Sequence, residues 1–121
     1  MIKVSEGTGK HRIEAKVFST EEGLILHMLG GEKPHVGAVV ISIPRESLRG
    51  DGSLSCTTSC LPFLGHKDDV AVKPLAEKLA ILTRQKVVAI SGIHVKNATE
   101  DDLKIIQSNI SLISHGILNE F

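Results

Sequence analysis

The 121-residue chain reads as an α+β two-layer sandwich, a mainly antiparallel sheet of five to six strands with two helices on one face. Three observations predict this. Residues 10–61 alternate apolar and polar positions or run apolar in short bursts, with Gly, Pro and Asp turns between, as strands do. The stretches that begin at Asp68 and at Thr99 repeat apolar residues at spacings of three and four, as amphipathic helices do. Between those helices lies Val87-Val88-Ala89-Ile90, so one strong strand separates them.

Taken in order, Lys10 to Ser19 sets Ile13, Ala15 and Val17 against Arg12, Glu14 and Lys16, the period of a half-solvated strand. Thr20-Glu21-Glu22-Gly23 turns the chain, and Leu24 to Leu29 forms the second arm of a hairpin that Gly30-Gly31 ends. Val36 to Ile43 is nearly continuous in apolar residues, as expected for a strand buried on both faces, and Pro44 stops it. Arg49-Gly50-Asp51-Gly52 gives the next turn. Ser53 to Leu61 forms a further strand with Leu54, Cys56, Thr58 and Cys60 on one side.

Asp68 or Asp69 caps the first helix, whose stripe is Leu75, Leu79 and Leu82 with Ala76 and Ala80 alongside. Pro74 removes a backbone hydrogen bond, so the helix either kinks there or starts late, near Lys73. Lys86 to Val95 is the clearest central strand. Thr99 caps the last helix with Asp102 in the third position, an approximate capping box, and Leu103, Ile106, Ile110, Ile113 and Ile117 form its stripe.

Composition sets limits on function. The length fits one domain over residues 1–121. Lys and Arg number 14, as do Asp and Glu, and residues 1–60 and 61–121 each hold seven of either sign. No basic lobe exists to neutralise phosphates, and with 2% aromatic residues no platform exists to stack bases, so a nucleic-acid module is excluded. No apolar run reaches the ~20 residues of a membrane span, and the start shows no signal-peptide core, which points to the cytoplasm. Cys56 and Cys60 would lie about 13 Å apart along one strand, too far for a bridge, and read as reduced, buried thiols.

Gly7-Thr8-Gly9-Lys10 fails as a phosphate loop because Val4 and His11 stand where that motif needs Gly and Ser or Thr; it reads as a hairpin turn. Three other segments share a form, glycine and then histidine at an element boundary. They are Gly30-Gly31-Glu32-Lys33-Pro34-His35-Val36-Gly37, Gly65-His66-Lys67-Asp68-Asp69 and Gly92-Ile93-His94. Paired glycines let a backbone approach a ligand, with Lys33 nearby for an anion. A charged cluster at a helix start suits an anion, proton transfer or a metal. A histidine at the C-terminal end of a buried strand sits where ligands gather in helix-covered sheets. No HxH, HExxH or CxxC pattern enforces a metal, and no activated nucleophile is visible. His11, His27 and His115 lie in regular elements and carry no assigned role.

At those three segments the chain resembles the small LpdD-like prenylated-flavin chaperone proteins, and the resemblance covers residues from about 10 to 115. The resemblance implies a fold similar to proteasome assembly chaperones, with helices on one side of a sheet, and a homodimer. It implies a non-catalytic accessory protein beside UbiD-like decarboxylases of aromatic acids, which use prenylated flavin mononucleotide. The chain would bind or hand over prenylated FMN or FMN transiently, or aid maturation of the decarboxylase, with no metal. On this reading Gly30, Gly31, Lys33 and His35 face the phosphate, and His66, Lys67, Asp68 and His94 border the same pocket. The rival is a small enzyme or metal protein using His35, His66, Asp68 and His94 for proton transfer or metal ligation. A third reading is an assembly partner that acts through its surface alone.

Overall fold

A computed structural model describes residues 1–62 and 68–121, with Pro62 and residues 68–70 described in the backbone only. The element order is β1 (Ile2–Glu6), a 3-10 turn (Gly9–His11), β2 (Ile13–Thr20), β3 (Gly23–Gly31), β4 (Ala38–Glu46), β5 (Leu54–Pro62), α1 (Asp68–Thr83), β6 (Val87–His94) and α2 (Glu100–Leu118). The strands form one six-stranded sheet in the order β1-β2-β3-β6-β4-β5. β6 enters between the two hairpins, parallel to β3 and antiparallel to β4, and the other pairs are antiparallel. The sheet is therefore mixed, with one parallel pair in a mainly antiparallel arrangement.

Alternation decides which face each strand buries. Ile13, Ala15 and Val17 of β2 face the same side as Leu24, Leu26 and Met28 of β3, Val87 and Ala89 of β6 and Val40 of β4. Against them pack Val72, Leu75, Ala76, Leu79 and Ala80 of α1 and Ile106, Ile113 and Ile117 of α2. Each large aliphatic side chain buried there contributes roughly 1.5–3 kcal/mol, so this layer carries the stability.

Several expectations change in detail. A short strand, β1, precedes the first expected one and pairs antiparallel with β2, so the Gly7–Lys10 segment does connect a hairpin. β4 is buried on the helix side only: Ala38, Val40 and Ser42 are covered, whereas Ile43 on the other face is exposed. Its apolar run reflects an apolar second face, not a second covering layer. Pro44 does not stop β4, which pairs with β5 as far as Glu46; pairing to β6 ends at Ser42, so the missing N–H has no ladder there to break. α1 starts at Asp68 and runs through Pro74, whose ring sits on the exposed side, so the late start near Lys73 is not adopted. Leu82 and Leu103 are half-exposed at the margins of their stripes. Cys56 and Cys60 are free and only half-buried. The Asp68 and Asp69 caps lie outside the described side chains. Among the described residues no helix is long and apolar enough to cross a membrane.

Candidate functional site

The topology brings the first and third glycine–histidine segments to one end of the sheet. β3 and β6 are parallel, so both finish at the same end, with Gly31 opposite His94. β5 also runs parallel to β6, because both are antiparallel to β4. The helices that follow β5 and β6 therefore both begin at this end, α1 at Asp68 and α2 at Glu100. Helix N-termini present unpaired N–H groups and positive potential, but at α2 Glu100, Asp101 and Asp102 fill the first turn and offset it.

Residues 32–37 link β3 to β4 across the tip of β6. The N–H groups of Glu32 and Lys33 donate to the His94 carbonyl at 2.8 and 3.4 Å, and that of Gly37 donates to the Ser91 carbonyl at 2.8 Å. The Glu32 carboxylate accepts from the Lys96 N–H at 3.0 Å, which ties the loop to the chain beyond β6.

These contacts explain the glycines. A Cβ at Gly92 would run into the His35 carbonyl, and a Cβ at Gly31, where φ is 79°, would run into the His94 carbonyl. Each glycine clears the backbone of the other segment's histidine, so the two motifs interlock. Gly30 does the same for β2: a Cβ there would lie 2.5 Å from the Arg12 carbonyl oxygen. The amides of Gly31, Glu32 and Lys33 all donate to backbone carbonyls, so what the loop offers a ligand lies in its side chains.

His35 and His94 come together, with ring centroids 6.3 Å apart and planes at 83°, edge to face. His35 Nδ1 lies 2.9 Å from the Lys33 carbonyl, which can only accept, so Nδ1 carries a proton and donates it there. Lys33 is exposed beside this pair, and His35 is half-buried. Of the other expected residues, His66 and Lys67 lie outside the described residues, and Asp68 is described only as the first residue of α1. Among the described residues no group of three or more His, Cys, Asp or Glu is placed to hold a metal, and His35 with His94 gives two ring ligands where zinc sites use three or four protein ligands.

Two features near this end had no role in the sequence reading. Ser91, inside the apolar run of β6, is fully buried and its Oγ has no hydrogen-bond partner. Its signal is a hydroxyl interrupting a core strand, next to Gly92. His11 is the second. Its Nε2 lies 2.8 Å from Asp102 Oδ1, and Lys10 Nζ lies 3.2 Å from the same oxygen. Asp102 Oδ2 accepts from the Thr99 N–H at 3.0 Å while the Thr99 hydroxyl accepts from the Asp102 N–H, completing the capping box. The Thr99 N–H, then His11 and Lys10, hold the Asp102 carboxyl well below the usual range. Asn109 Nδ2 donates to the His11 carbonyl at 3.0 Å, so this cluster fastens the β1–β2 turn to α2. Only long-range pairing reveals it.

Reactive groups elsewhere are muted. Burial pushes the Cys56 thiol up, and Glu77, which accepts from it at 3.5 Å, pushes the same way. Glu77 also accepts from the Thr58 hydroxyl at 2.8 Å, so the carboxylate serves α1–β5 packing and generates no thiolate.

Among curated proteins none matches the chain. A chain of the structure described as "Crystal Structure of a Novel Chaperone Complex for Yeast 20S Proteasome Assembly" is similar over 98% of this chain and 92% of its own, at 12% identity and a TM-score of 0.47. The family model described as "Prenylated flavin chaperone LpdD-like domain" matches residues 7–121, which takes in all three glycine–histidine segments. The chain belongs to the LpdD-like prenylated flavin chaperone family.

Proposed function

We propose that this chain is a non-catalytic accessory protein that holds prenylated FMN, or FMN, transiently and passes it to a UbiD-like decarboxylase subunit or aids that subunit's maturation. It works in the cytoplasm as a homodimer. The observation that carries the reading is the interlock of Gly31 and Gly92, which sets Lys33, His35 and His94 at the end of the sheet where both helices begin. A phosphate is served there by the Lys33 ammonium. The imidazoles supply donors and acceptors for a flavin's polar edge, and exposed Val36 offers an apolar contact. Gly31 acts by bringing the loop against β6 and Gly30 by clearing the start of β2, and we also assign His66, Lys67 and Asp68 to flavin binding.

Without aromatic stacking surfaces the grip on a flat ring is loose, which suits a carrier that must release its cargo. The raised Cys56 thiol disfavours covalent chemistry at that residue.

A melting experiment tests this. Prenylated FMN in excess should raise the melting temperature of the wild-type chain, and Lys33→Ala should reduce that rise while leaving the unliganded melting temperature unchanged. A flavin series with no shift at any concentration refutes the cofactor reading. The edge contact of His35 and His94 supports a second reading, a metal or proton-transfer site with His66 and Asp68. Stoichiometric zinc or manganese in the purified protein, lost in His94→Ala, would favour it instead.

A further inference from the structure

The two edges of the sheet are finished differently. β1 has five residues, Lys3 and Glu6 among them, and Lys3 lies 3.5 Å from Glu14 of β2. α2 packs against the same strand. Short length, charged side chains and a covering helix are the devices that keep a sheet edge from accepting another strand.

β5, at the opposite edge, is built without them. It has nine residues, Leu54-Ser55-Cys56-Thr57-Thr58-Ser59-Cys60-Leu61-Pro62, with no charge, and its proline comes last. Its register against β4 is continuous from Leu54 to Pro62, so no bulge turns the edge away. Among the described residues no backbone group outside β4 bonds to the β5 backbone. The hydroxyls of β5 are engaged within the fold: Thr57 accepts from Arg45 Nε at 2.9 Å, and Thr58 donates to Glu77 at 2.8 Å and pairs with Ser42 at 2.8 Å. In an antiparallel pair every second residue turns both its N–H and its C=O away from the partner strand. β5 therefore presents a row of donor–acceptor pairs about 6.8 Å apart.

We propose that β5 is a docking edge that takes up an extended segment of a partner protein as a further strand of the sheet. An alternating donor–acceptor row at that spacing is matched by another extended backbone, the mode of recognition known as strand addition. The side chains of β5 fix the chemistry of the segment. No charge on β5 answers a charge on the segment, and the nearest carboxylate, Glu77, already accepts from Thr58 and Cys56. The centre of the segment is therefore uncharged, and Thr or Val side chains suit the neighbouring Thr and Cys positions as cross-strand pairs. The homodimer of the proposed function uses one two-fold contact, and a second through β5 would string dimers into open arrays, so the occupant is a different protein. The choice of occupant rests on that homodimer, whereas the edge itself is independent of flavin binding.

Amide hydrogen exchange on the full chain, followed by NMR, tests this. In the protein alone every second amide from Leu54 to Leu61 should exchange freely and those between should be protected by β4. The probe is a capped peptide of alternating Val and Thr between terminal lysines, titrated to about 1 mM, where a site with a Kd of about 1 mM is half filled. The open β5 amides should then slow by about 2-fold or more, with the β1 amides unchanged. N-methylation of the peptide's central amides should weaken binding by about 10-fold, as the loss of one or two hydrogen bonds does. No slowing at the β5 amides, slowing at β1 instead, or equal binding of the N-methylated peptide overturns strand addition at β5. Protection of all β5 amides in the protein alone, growing with protein concentration, shows a second copy on the edge and overturns the choice of a partner protein.

Discussion

Alanine at position 92 removes the clearance on which the candidate site depends. The new Cβ would meet the His35 carbonyl, a backbone atom that cannot rotate away, so residues 32–37 would have to lift from β6. Overpacking of this kind costs about 1–3 kcal/mol. Lifting the loop also strains the Gly37-to-Ser91 and Glu32-to-His94 hydrogen bonds, each worth about 1 kcal/mol net. Alanine recovers about 0.5–1 kcal/mol of backbone entropy in a strand, which leaves a net loss of about 2–4 kcal/mol. At about 4 °C per kcal/mol for a chain of this size, the melting temperature should fall by about 8–16 °C. Calorimetry reads this directly. Gly50→Ala is the control: Gly50 has φ 69° but open space around it, so only the roughly 1–2 kcal/mol left-handed penalty applies. Gly92→Ala should also move the His35 and His94 ring resonances, which Gly50→Ala should not. Gly92→Ala melting within about 2 °C of wild type, a loss of only about 0.5 kcal/mol, would refute the interlock.

Three further outcomes follow from the structure. Asp102 is held below its ordinary value in the folded chain, so its contribution is present above about pH 4 and is lost as pH falls through the depressed value. Asp102→Asn should therefore melt lower than wild type at pH 7 and lose less than wild type between pH 5 and pH 2 in parallel melts. Thr99→Ala removes the hydroxyl half of the capping box and should cost about 1 kcal/mol, measured by urea titration with an unchanged slope. The Cys56 thiol, raised by burial, should react with a thiol reagent more slowly in the folded Cys60→Ala variant than after denaturation; faster reaction when folded would contradict the muted environment.

Much of this fold is legible locally, and what is not depends on pairing at a distance. Ile13, Ala15 and Val17 declare their buried face through alternation, and Thr99 with Asp102 declares the start of α2, because both signals lie within a few residues. The insertion of β6 between β3 and β4 has no local signal, since parallel pairing is settled by the whole sheet. β4 misleads for a related reason: Val39 and Ile41 are apolar yet lie on the uncovered face, so an apolar run does not distinguish two covering layers from one layer and an apolar surface. At the site, Gly31, Gly92, His35 and His94 are visible as motifs, but the purpose of the glycines emerges only when Gly31 stands opposite His94. His11 is silent in sequence because its partner Asp102 is 91 positions away.

The central claim is that the end of the sheet bearing Lys33, His35 and His94 holds a phosphorylated flavin. A fluorescence titration of prenylated FMN into wild type, Lys33→Ala and His94→Ala tests it most directly, with all three proteins shown to be folded. The account predicts saturable binding by wild type, with each variant weakened by about 10-fold, the loss of one charged or polar contact worth about 1.4 kcal/mol. Equal binding by all three would place the flavin elsewhere, and no binding by any of them would contradict the claim itself.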